Sequence, residues 1–127
     1  MFKLLKLLIL LVVLVGAGVM FLPLGSVDYK DPNMAGNLVV PSFSMFEGEM
    51  LNASGEYVAT FQTVRSEWAL EREFERMLSE KYVEKTCGDG EVGYVDEANR
   101  VVVRGYTIDG GIPFSKYSVT YDMRACE

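Results

Sequence analysis

There is no histidine anywhere in this chain of 127 residues. That absence excludes histidine-activated nucleophiles, imidazole general acid–base catalysis and the commonest protein ligand of metals, leaving carboxylates as the remaining route to hydrolysis. Cysteine is scarce too, with Cys87 and Cys126 the one pair. Internal repeats and low-complexity tracts are absent. Glycines 88, 90 and 93 follow a helix and precede a strand, with no lysine among them, so they do not form the strand–glycines–helix order of a phosphate cradle. Basic residues are few, 12 against 18 acidic, for a net charge of −6, which disfavours nucleic acid as a partner.

What the chain does have is a run of almost unbroken hydrocarbon over residues 4–24, interrupted by Lys6. A helix rises about 1.5 Å per residue and needs about 20 apolar residues to cross a bilayer core of about 30 Å, so the run is expected to span a membrane. Lys3 and Lys6 precede it and Asp28 and Asp31 follow it, which places the N-terminus in the cytoplasm and the rest outside. The competing reading is a cleaved signal peptide and a secreted product. It fits less well, because the apolar core is long and Pro23 or Leu24 would stand where the cleavage site wants a small residue. On this expectation residues 1–25 are a signal-anchor helix in the lipid bilayer, 26–37 a linker rich in Gly, Pro, Asp and Asn, and 38–127 one compact extracytoplasmic domain.

Within that domain the pattern alternates between two periods. Residues 56–64 read as a half-buried strand, since Tyr57, Ala59 and Phe61 interleave with polar neighbours. Residues 66–85 read as the one helix of the domain, because Leu70, Phe74, Met77, Leu78 and Tyr82 recur at helical spacing behind a Ser66 cap. From Glu91 onward strands resume. The clearest alternation is Tyr117, Val119, Tyr121 and Met123 against Lys116, Ser118, Thr120 and Asp122. The expected fold is α+β: an N-terminal transmembrane helix, then a small domain with one helix packed on an antiparallel sheet of four or five strands.

Candidate sites are sparse. Two cysteines outside the cytoplasm read as one disulfide, Cys87 to Cys126. Asn52-Ala53-Ser54 is an N-x-S triplet, making Asn52 a glycosylation candidate. Trp68 sits at the edge of the helical stripe, either as a satellite core residue or as a partner contact. Tyr94 and Tyr106 fall on neighbouring strands and would make an aromatic contact patch if they face outward. Asp89, Glu91, Asp96 and Glu97 match no Ca²⁺ loop spacing. No metal, cofactor or catalytic residue is assigned. The leading functional expectation is a membrane-anchored interaction or accessory module acting on a membrane or surface protein partner. The alternatives are a secreted inhibitor-like or structural protein and a carboxylate-dependent extracellular hydrolase.

Overall fold

The computed structural model describes residues 2–21, 25–87, 90–111 and 114–123. Helix α1 (Phe2–Phe21) opens the chain, and its side chains from Leu4 to Val15 are exposed. Lys3 and Lys6 occupy its first two turns, so the uncharged helical part, residues 7–21, is roughly 15 residues and rises about 22 Å, short of a bilayer core of about 30 Å. Among the described residues no helix is long and apolar enough to cross a membrane. This corrects the single-pass anchor expected from sequence and the cell-membrane location that depended on it. The end of the apolar run, residues 22–24, lies outside the described residues.

The chain continues as strands β1 (Ser26–Tyr29), β2 (Leu38–Pro41), β3 (Ser44–Leu51) and β4 (Tyr57–Thr63), helix α2 (Glu67–Glu80), then β5 (Val83–Thr86), β6 (Val92–Asp96), β7 (Val101–Asp109) and β8 (Ser115–Asp122). Strands β1 and β2 form a two-stranded ribbon, and the others form one sheet in the order β3-β4-β8-β7-β6-β5. Every pairing is antiparallel. Among the described residues the protein is therefore mostly β, with two helices and a sheet of six strands plus the ribbon, not one of four or five strands. Two misread segments contribute to the difference. Residues 83–86 extend the helical spacing numerically yet form the edge strand β5, and the expected linker contains β1, with Met34 buried in the core.

Helix α2 begins as its sequence dictates. The Ser66 hydroxyl accepts from the Ala69 N–H at 3.2 Å, satisfying one of the free amides of the first turn. The same serine donates both its N–H and its hydroxyl to the Met20 carbonyl, each at 3.0 Å, which ties the end of α1 to the start of α2. Leu70, Phe74 and Met77 bury one face of α2 against Ala59, Phe61, Val101, Val103, Tyr117, Val119 and Tyr121 of the sheet. Rings run through this core in sequence. Phe61 stacks on Tyr117 at 5.2 Å, Tyr117 meets Phe74 edge-on at 5.2 Å, and Phe74 stacks on Tyr106 at 4.3 Å. In β7 a register shift between Val103 and Gly105 absorbs Arg104, so Val101 and Val103 share a face with Tyr106 and Ile108 despite the odd spacing.

The ribbon closes the rest of the core. All four residues of β2 are buried, yet β2 pairs with β1 alone, so peptide groups on its other side need partners from elsewhere. Tyrosine hydroxyls supply them. That of Tyr82 accepts from the Val39 N–H and donates to the Val39 carbonyl, both at 3.3 Å. That of Tyr121 accepts from the Gly36 N–H at 3.1 Å and donates to the Glu49 carboxylate, whose other oxygen accepts from the Ala35 N–H at 2.8 Å. Gly36 must stay small here, because a Cβ would lie 3.0 Å from Val101 Cγ1. Tyr29 in β1 reciprocates by accepting the Phe46 N–H of β3 at 3.1 Å.

Replacing Tyr82 by Phe keeps the ring but strands both polar groups of Val39, a loss of about 1–3 kcal/mol. Urea unfolding is expected to show that loss for Tyr82→Phe and less than about 0.5 kcal/mol for Tyr57→Phe, where no hydroxyl partner is removed. Burial pushes the phenols of Tyr82, Tyr117 and Tyr121 well above their ordinary range. The fold therefore favours their protonated forms. That contribution is complete below about pH 10, where unfolded phenols are protonated too, and shrinks as pH rises beyond it. Absorbance at 295 nm is expected to show these three tyrosines ionising together with unfolding, after the exposed ones.

Candidate functional site

Tyr94 of β6 and Tyr106 of β7 are brought together on the α2 side of the sheet. Tyr94 lies opposite Glu84 of β5 and Val103 of β7, and the Arg104 bulge rotates Tyr106 onto the same face. Between them and α2 is a cleft of about 500 Å³ whose lining includes Glu75, Leu78, Glu84 and both rings. Among the described residues, both charged residues in that lining are glutamates. Tyr106 is held by its stack on Phe74 and remains half-buried. Its phenol is pushed above the ordinary range by burial first, then by Glu75, Glu71 and Tyr94, so at neutral pH it is a hydrogen-bond donor. Two aromatic walls beside two carboxylates can accept a cationic side chain by stacking and ion pairing.

Trp68 lies on a different surface. It is 54% exposed, not tucked into the core, and Arg72 sits over its ring at 4.6 Å. It borders a groove of about 630 Å³ along α2 that also touches Phe21, Arg72, Glu75, Arg76 and Ser79. At the base of this groove are two buried charged residues that the sequence reading did not place in the core: Arg65, 1% exposed, and Glu73, 2% exposed. Arg65 Nη1 lies 3.9 Å from Glu73 Oε2. Burial pulls the Arg65 guanidinium below its usual range, while Glu73 opposes that shift. The signal for Glu73 was present in the helical spacing, since Ala69, Glu73 and Met77 recur every fourth residue along the buried side. On the exposed side of α2, Arg76 pairs with Glu80 at 3.3 Å.

Asn52 occupies the turn between β3 and β4, where its side-chain oxygen accepts from the N–H of Ser54 at 3.0 Å and of Glu56 at 2.9 Å. The amide nitrogen that would carry a glycan donates to the Glu56 carboxylate at 3.3 Å. Cys87 is the one cysteine among the described residues, and no disulfide is seen among them; its expected partner, Cys126, lies outside them. The Cys87 sulfur accepts from Arg104 at 3.2 Å and is not free. Among the described residues no group of three His, Cys, Asp or Glu side chains gathers as a metal site, and Asp89 lies outside them. No family model, curated protein or solved structure matches this chain.

The buried Arg65–Glu73 pair generates a stability prediction. Truncation to Glu73→Ala removes the carboxylate that offsets burial of the guanidinium, at a cost of about 3 kcal/mol, whereas Arg65→Met with Glu73→Leu removes both charges and costs less than the single change. Denaturant midpoints of the two variants measure the difference.

Proposed function

We propose that this protein is a non-catalytic interaction module that holds a basic segment of another protein in the Tyr94–Tyr106 cleft. The observation that carries the reading is the lining itself: two half-buried tyrosine rings beside Glu75 and Glu84, with no basic side chain among the described residues of the lining. Tyrosine is enriched at protein interfaces because its ring supplies contact area and its hydroxyl a hydrogen bond. A guanidinium or ammonium over such a ring gains about 0.5–1 kcal/mol at an exposed site, and more when desolvated. The net charge of −6 adds long-range attraction for a basic partner.

The test is fluorescence anisotropy with arginine-containing peptides against the same peptides carrying citrulline, which keeps the shape and removes the charge. Arginine peptides are expected to bind at least tenfold more tightly, with affinity falling as salt rises. Glu84→Lys, at an exposed position on the edge strand, is expected to weaken binding at least tenfold without lowering thermal stability. Equal binding of charged and neutral peptides, or binding unaffected by Glu84→Lys, would overturn the reading.

A further inference from the structure

We infer that the outward face of α2 is a two-fold docking surface for a second copy of this chain. The stripe adjoins the tyrosine cleft and shares Glu75 and Ser79 with it, but the inference goes beyond the reading above. Trp68, Arg72, Glu75 and Ser79 recur at i, i+4, i+7 and i+11 of α2 and are all exposed, so they form one stripe along the helix. Nothing from the described chain covers that stripe, and among the described residues no carboxylate makes an ion pair with Arg72.

The stripe is complementary to itself when reversed. In an antiparallel pair of α2 helices related by a two-fold axis midway between Arg72 and Glu75, Arg72 of each copy faces Glu75 of the other. Trp68 then faces Ser79. A two-fold contact requires this reciprocity, in which residue i meets j and j meets i. Every charge on the stripe meets its opposite, and the one large ring meets the smallest side chain. The groove of about 630 Å³ beside the stripe has room for the incoming indole, which is a typical interface anchor. A helix face of 14 residues buries less than the roughly 800 Å² per partner of a standard interface, so the dimer forms weakly and depends on concentration.

The experiment uses the full chain and its single tryptophan, Trp68. Sedimentation velocity is expected to show a monomer–dimer equilibrium. Over the same concentration range Trp68 emission is expected to shift to the blue and become shielded from acrylamide. Arg72→Glu and Glu75→Arg, both at exposed positions, are each expected to weaken association at least tenfold. The two together restore it, because each replaced residue again meets an opposite charge across the axis. Association through the exposed apolar face of α1 would not respond to this swap. Trp68 emission independent of concentration, or a double variant no better than the single ones, would overturn the inference. Glu84→Lys, which tests the tyrosine cleft, is expected to leave dimerisation unchanged, so either idea can fail alone.

Discussion

The Tyr82 hydroxyl, bonded to both the N–H and the carbonyl of Val39, is the constraint on which the rest of this fold depends. A two-stranded ribbon laid over a hydrophobic core hides peptide groups from water, and each hidden group without a partner costs about as much as a lost hydrogen bond. The core needs the ribbon, since Leu38 and Val40 fill space beside α2 and the sheet. The ribbon in turn needs the tyrosines. Tyr82 leaves the end of α2 and Tyr121 rises from β8, so helix, sheet and ribbon meet through phenol oxygens. Hydrophobic burial therefore sets the layers, and hydrogen bonding sets where the ribbon stops.

The same arrangement positions the surfaces to which a function is attributed. Phe74 serves both core and cleft: its ring meets Tyr117 in the core and Tyr106 at the cleft, so a cleft residue is held by a core residue. Arg65 and Glu73 brace the other side of α2 at the junction with α1, where Ser66 also takes the Met20 carbonyl. The pair is an expensive way to fill space, since replacing a buried ion pair by apolar side chains is often neutral or stabilising. Its placement next to the α1–α2 junction suits a role in fixing how the two helices meet.

Much of the local structure was legible in the chain. The alternation in β8 identified Tyr117, Val119 and Tyr121 as buried, and the helical spacing identified Leu70, Phe74 and Met77. Tyr82 misled in an instructive way. It continues the apolar stripe of α2 by position, which extended the helix to residue 85, but it is buried after the helix has ended because its hydroxyl is needed at Val39. The bulge at Arg104 was not visible, since one extra residue in a strand leaves no mark until its neighbour is known. The apolar run at the N-terminus gave the strongest signal in the sequence, yet the described helix α1, Phe2–Phe21, carries two lysines near its start.

The sequence by itself determined the absence of histidine chemistry, the acidic charge and the position of most strands and of α2, because periodicity and composition are carried by neighbouring residues. Only the tertiary structure decided that Glu73 is buried with Arg65, that Trp68 is exposed, and that Tyr94 and Tyr106 share an acidic cleft. Those outcomes rest on contacts between residues far apart in the chain, such as Val39 with Tyr82 or Gly36 with Tyr121. No local pattern encodes which of several apolar or charged side chains will meet across layers; packing chooses among them when the ribbon, helix and sheet close on one core.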